Sequence, residues 1–224
     1  MTEPHVFVRA ATALDAPAIG DVQARTMRAS LTAAVGQKLA SDVAERIDAE
    51  AFARQWATTI VSPPHRVLVA VEDGEVVGFA ALSPTDAPVR PTDEPPPSEA
   101  DAGAEGETNG GAADEGAGGA AGHTGSRAAA KDGGLPAASV KRIEVTALEV
   151  PARHQRHGHG SRLLAAAIDT SRQLGAERIQ TWALDGDDAR VKFLASAGFG
   201  PAGIGRRLQV GDDIVTERCW HARL

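Results

Sequence analysis

The hydrophobic and polar positions divide the chain into alternating strand-like and helix-like stretches. His5-Val6-Phe7-Val8-Arg9 predicts a short strand. Asp15, with Pro17 just behind it, marks a helix start; that helix is expected to carry Leu14, Ile19, Val22 and Met27 inward and to reach Met27 or Leu31. A second periodic face starts near Ser41 and runs through Val43, Ile47, Phe52 and Trp56 to about Ile60, where Pro63-Pro64 ends it. Ser41 and Glu45 are one residue too far apart for a capping box. Two β-rich runs, Arg66–Val71 and Val76–Leu82, are joined through Asp73-Gly74 and predict a hairpin. Much later, Val140–Val150 reads as a strand closed by Pro151. It is followed by a helical stripe of Leu163, Leu164, Ala167, Ile168 and Leu174 that stops at Gly175. Arg178–Leu184 is the next strand, and strand–helix–strand implies a parallel pair with a right-handed crossover. Asp187 or Asp188 caps a last helix carrying Val191, Phe193, Leu194 and Ala197, which Gly198 ends. The tail, Arg206–Val210 and Ile214–Trp220 turned at Gly211-Asp212-Asp213, predicts a closing hairpin.

Composition changes this picture in one place. From Pro91 to Gly134 there are nine acidic and two basic residues, which leaves 21 of each sign elsewhere and accounts for the whole net charge of −7. No Val, Ile, Leu, Met, Phe, Tyr or Trp occurs from Arg90 through Gly134. Such a stretch buries too little apolar surface to offset its ordering entropy. We therefore expect a disordered Ala/Gly/Pro/acid-rich insert over about 85–138, between the third and fourth strands. The rest is near neutral and has no basic stripe interleaved with aromatics, so a nucleic-acid partner is not expected. The chain shows no run of apolar residues long enough for a membrane span, and its N-terminus lacks the layout of a signal peptide. A single cysteine, Cys219, excludes an internal disulfide, and alternation with apolar neighbours predicts an inert core thiol. A cytoplasmic protein is the simplest expectation.

The densest chemistry lies in Gln155-Arg156-His157-Gly158-His159-Gly160-Ser161, between a strand and a helix. A loop that feeds a helix N-terminus offers unpaired N–H groups and the positive end of the helix dipole, which suit a phosphate or pyrophosphate. Gly158 and Gly160 let the backbone approach such an anion, and Arg153 and Arg156 add charge. Neither a dinucleotide fingerprint nor a Walker loop is present.

Gln155-x-x-Gly158-x-Gly160 resembles the acyl-CoA pyrophosphate motif of the GNAT acetyltransferase superfamily, and Gly198-Phe199 resembles that family's usual ending of the last helix. The order of elements is also that of the family. The resemblance covers nearly everything except the insert. It implies one α/β domain over residues 1–224, a mixed, mostly antiparallel sheet of about seven strands flanked by about four helices and splayed after Val150. It further implies acetyl-CoA as co-substrate, bound by Gln155, Arg156, His157, Gly158, His159, Gly160 and Ser161, by backbone of Leu148 and Val150, and by Asp187. The reaction implied is direct acetyl transfer to a primary amine in a ternary complex. The acceptor would enter beside Thr26-Met27-Arg28-Ala29 and Arg206-Arg207. A homodimer is left open.

Such a reaction needs a base for the amine and a proton for the leaving thiolate. Strict alternation puts Glu144 with Thr146, Leu148 and Val150, and Glu149 with Ile143 and Val145; a bulge near Ala147 would break that parity. The resemblance favours Glu144 as general base, with Glu149 second. Many family members carry a Tyr where this chain has Leu194, and the chain has no tyrosine, so a water, Ser196 or a histidine is left for the acid, or an unassisted thiolate. His154, His157 and His159 are able to converge, yet spacing fixes no acidic partner, and no metal is expected. The reading from another class is a non-catalytic acyl-CoA sensor or partner-binding module on the same fold.

Overall fold

The computed structural model describes residues 5–36, 41–86 and 142–224. The expected acidic insert from residue 87 onward, the side chain of Ser41 and residues Val140 and Lys141 of the predicted fourth strand lie outside what is described. Seven strands form one sheet: β1 (Val6–Ala10), β2 (Arg66–Glu72), β3 (Glu75–Pro84), β4 (Arg142–Glu149), β5 (Arg178–Leu184), β6 (Gly200–Val210) and β7 (Asp213–Arg223). Their order is β1-β2-β3-β4-β5-β7-β6, and β4–β5 is the parallel neighbour pair. The helices are α1 (Ala16–Val35), α2 (Ser41–Arg46), α3 (Ala49–Ile60), α4 (His159–Gln173) and α5 (Asp188–Ser196). The chain that leaves β3 and returns in β4 does so at neighbouring points, since Thr85 N–H donates to Arg142 C=O at 3.2 Å.

Each face of the sheet is covered. On one, Leu163, Leu164 and Ala167 of α4 pack with Leu68, Val77, Ile143, Val145 and Leu148, and Leu194 and Phe199 of the α5 end join them. Full burial of a Leu contributes about 1.5–3 kcal/mol, so the α4 stripe alone fixes that helix on the sheet. On the other face, Ile19 and Val22 of α1 pack on Val69, Val71, Phe79 and Ala81, with Trp56 of α3 set edge-on to Phe79 at 5.2 Å. Trp56 Nε1–H donates to Gln23 at 2.5 Å, so its polar end is satisfied as well.

Several local expectations are corrected. The single second helix is two, because Asp48 accepts from Glu50 N–H at 2.9 Å and caps α3 anew. α1 runs on to Val35, and Leu14 is 91% exposed rather than inward. Asp15 is the residue before α1, yet its carboxylate does not cap it; it accepts from Arg9 at 2.7 and 2.8 Å and from the Thr12 N–H and hydroxyl. The closing hairpin is longer than its apolar pattern, and the turn of the first one has Asp73 and Gly74 both at positive φ, as its short loop requires.

The bulge on β4 has the largest effect on the site. Ala81 pairs with Ala147 but Leu82 with Val145, which leaves Thr146 as the extra residue. Ile143, Val145 and Leu148 therefore share one core, the break of strict alternation that a bulge near Ala147 was expected to bring, while Ala147 packs toward α1. Glu149, two residues beyond Ala147, turns the same way. Gly78 of β3 lets the end of β4 sit close: a Cβ there would stand 2.8 Å from the Glu149 carbonyl and 2.9 Å from Val150. β4 and β5 pair only over Arg142–Val145 and Arg178–Thr181, so the sheet opens at Val145, some residues earlier than Val150.

The buried Asp15 carboxyl is held down to about 2 from 3.8, first by the Arg9 guanidinium and then by the two Thr12 donors, against the cost of burial. A depressed carboxylate contributes stability that is present above its unfolded value and lost as pH falls through its folded one. Allowing for screening at the part-exposed Arg9, that contribution is about 1–2 kcal/mol. In urea unfolding, Asp15→Asn is expected to lose that much at pH 7, and the deficit should fade as pH falls from 3.8 towards 2.

Candidate functional site

The opening between β4 and β5 leads into a cavity of about 910 Å³. Its floor is the end of β4, Leu148 to Pro151; one wall is the following loop with the first turn of α4, and the others are α5 and the middle of α1. The loop is shaped by two left-handed residues, Arg156 at φ 66° and Gly158 at φ 82°. The first helical bond of α4 runs from Arg162 N–H to Gly158 C=O at 3.0 Å. The N–H groups of Gly158, His159, Gly160 and Ser161 thus have no acceptor within the helix, and Gly158, Gly160 and Ser161 stand on the cavity wall. A Cβ on Gly160 would meet only Phe193, at 3.8 Å, so the fold itself does not forbid one; it would take up space in the cavity. The cavity residues include Arg25, Arg153, Arg156, Arg190 and Lys192 against Glu149 and Asp187, a surplus of positive charge that suits a polyanion.

Leu148, Val150, Gln155, Arg156, Gly158, Gly160, Ser161 and Asp187 all line this one space. His157 and His159 do not line it; His159 is buried beside Glu72 of β2, which corrects their place among the cavity residues. The Leu148 and Val150 carbonyls are reached by side chains, Arg190 Nη1 at 3.2 Å and Gln155 Nε2 at 2.9 Å. Asp187 caps α5 by accepting from Arg190 N–H at 2.9 Å.

The two carboxylates of β4 differ. Glu149 lines the cavity. Burial raises its pKa, opposed by the Arg190 charge and the Thr26 hydroxyl and assisted by Asp187. Glu144 is not among the cavity residues, and its Oε2 accepts from Gln180 at 2.9 Å. Leu194, where a tyrosine was looked for, is wholly buried in the core, whereas Ser196 is on the cavity wall with its hydroxyl donating to Phe193 C=O at 2.7 Å. None of the described histidines is among the residues lining the cavity. Of the residues expected beside an acceptor, Thr26 and Ala29 line the cavity; Arg206 instead pairs with Glu217 at 2.6 Å and stacks over Trp182. Cys219 is a buried thiol pushed up to about 11, by burial above all, as an inert core residue should be. Arg190 was not foreseen. Its signal in the sequence was slight, an arginine three residues after a helix cap, and its Nε is buried without a partner.

The sequence pattern of the Acetyltransferase (GNAT) family matches residues 35–199. The chain belongs to the GNAT acetyltransferase family. Solved structures agree in fold at low identity. A ribosomal-protein-alanine N-acetyltransferase from Brucella melitensis is 20% identical with a TM-score of 0.56, over 97% of this chain and 99% of that one. YncA from Salmonella typhimurium, assigned as an acetyltransferase and solved with its cofactor acetyl-CoA, is 16% identical with a TM-score of 0.58, over 98% and 94%. PaiA N-acetyltransferase from Thermoplasma acidophilum, in complex with coenzyme A, is 13% identical with a TM-score of 0.56, over 95% and 98%. No curated protein matches the sequence significantly. Among the described residues no helix of this GNAT chain is long and apolar enough to cross a membrane.

Because Gly158 sits at φ 82° with its missing Cβ 2.8 Å from Arg162 Nη1, Gly158→Ala forces a left-handed alanine at a cost of about 1–2 kcal/mol. Urea unfolding should show that loss. An unchanged midpoint would mean the loop can adopt another path.

Proposed function

We propose that this GNAT chain is an acetyl-CoA-dependent N-acetyltransferase that moves an acetyl group directly to a primary amine within a ternary complex. The observation that carries this reading is one cavity that joins free helix N–H groups and surplus positive charge at one end to a half-buried carboxylate, Glu149, at the opening of the sheet. The Gly158–Ser161 turn and Arg156 suit the pyrophosphate, and Leu148 and Val150 the pantetheine arm. The thioester supplies the electrophilic carbonyl.

Glu149 is the base that best fits. It takes a proton from the incoming ammonium; the amine nitrogen then bonds to the carbonyl carbon while the carbon–sulfur bond breaks, the sulfur leaves with the bonding pair, and the second proton shed by the nitrogen passes to the departing thiolate. Arg190, beside Glu149, is suited to stabilise negative charge that develops on the carbonyl oxygen. The CoA thiol is acidic enough that its thiolate departs without a dedicated acid from the chain and takes up that proton. Glu144 is a weaker candidate, since Gln180 already occupies its carboxylate. The raised pKa of Glu149 makes it a stronger base than an exposed carboxylate, provided the pH is high enough to ionise it.

Calorimetric titration is expected to show acetyl-CoA binding to wild type and its loss in Gly160→Glu, which puts a side chain and a negative charge on the cavity wall. In an amine-acceptor assay, Glu149→Gln should lower kcat/KM by about 100-fold or more, and Glu144→Gln far less. The wild-type rate should fall as pH drops through a carboxyl ionisation above 4.5, and Glu149→Gln should lack that limb. Binding without release of CoA to any amine would favour the sensor reading instead. No binding by folded wild type would defeat both.

A further inference from the structure

The loop has a second set of side chains that the cavity does not use. His157 and His159 flank Gly158 and, with Glu72 at the end of β2, bring three potential ligand atoms within 4.8 Å of one another. His159 is the first residue of α4 and is 1% exposed, yet neither of its ring nitrogens has a hydrogen-bond partner. Its nearest anionic neighbour, Glu72 Oε2, is 3.6 Å from Nε2, beyond a hydrogen bond. Buried polar atoms are almost always satisfied, so an imidazole with both nitrogens orphaned at the edge of a His–Glu cluster calls for a partner.

We propose that Glu72, His157 and His159 form a binding site for a single divalent cation of the zinc class, on the side of the loop turned away from the cavity. Two imidazole nitrogens and one carboxylate oxygen are the donor mix that zinc accepts and that the oxygen-seeking calcium and magnesium ions do not favour. Around a tetrahedral ion with bonds near 2.0–2.1 Å the donors stand about 3.4 Å apart, so the cluster has to draw in by about an ångström. His157 is exposed and Glu72 is half-buried, so both side chains have room to turn, while buried His159 is the fixed ligand. His154 completes the arrangement without joining it. Its Nε2 accepts from Arg153 Nε at 2.8 Å, which leaves the proton on Nδ1, and that Nδ1 faces Glu72 Oε2 at 3.6 Å. It stands beside the carboxylate without a hydrogen bond to it, and would reach one only as the cluster draws in around the ion. The fourth ligand position is left to water, as in sites with three protein ligands. The ion would bind α4 and its entry loop to β2 from behind, fixing the two residues on either side of Gly158. This site stands on its own geometry and does not require the transferase reading.

The test uses the full chain without an affinity tag, freed of metal with a chelator and then dialysed. Zinc chloride titrated in a calorimeter should fill one site per chain and raise the thermal midpoint, and cobalt should give the intense visible absorption of a tetrahedral site. His157→Ala and Glu72→Gln, both at side chains outside the core, should each weaken zinc binding by about tenfold or more and abolish the thermal shift. If wild type binds no zinc, or if zinc binds both variants as tightly as wild type, the assignment is wrong. Loss of acetyl-CoA binding with zinc binding intact would count against the cofactor cavity alone.

Discussion

The structure depends on where one ladder of hydrogen bonds stops. β4 and β5 run parallel and pair through Val145 and Thr181, after which the strands part. Backbone polar groups freed by such a parting cannot be left dry and unpaired, so something must answer them. On β4 the answers are side chains from the two flanking elements, Arg190 of α5 and Gln155 of the loop. The same two residues thereby wall the opening they stabilise. A sheet edge created inside a domain, rather than at its rim, is a template for an extended ligand, and the bulge at Thr146 turns Glu149 toward α1 at that edge.

Much of this was legible in the pattern of residues. The apolar stripe of α4 is a statement about which face is buried, and burial is what the fold obeys. The glycine loop was legible because a left-handed residue before a helix leaves few choices of side chain. What escaped was set by the third dimension. The bulge near Ala147 was anticipated, and it inverts every inward and outward assignment beyond it; what escaped was that it would turn Glu149, rather than Glu144, toward the cavity. The break between α2 and α3 is a competition between a continuous apolar face and the capping chemistry of Asp48, and the cap prevails. Asp15 was rightly seen at a helix start but is claimed by Arg9, which lies on a strand and whose proximity no spacing rule reports.

The histidines make the same point from the other side. Three of them within six residues carry no fixed meaning until the sheet supplies Glu72 from a strand far earlier in the sequence. A loop of this kind has two surfaces. Gly158 and Gly160 serve the cavity, while His159, one residue out of step, is buried behind it. An alternation of small and large residues is thus one way for a short segment to meet two unrelated demands.

The bond from Thr85 to Arg142 has a consequence for the history of the chain. Where two ends of a connection are already held side by side, the entropic cost of whatever joins them grows only with the logarithm of its length. Selection on the folded part is then almost blind to how many residues intervene. Between β3 and β4 this protein has a point at which lineages are free to lengthen, shorten or replace a segment, without renegotiating the strands that carry the chemistry.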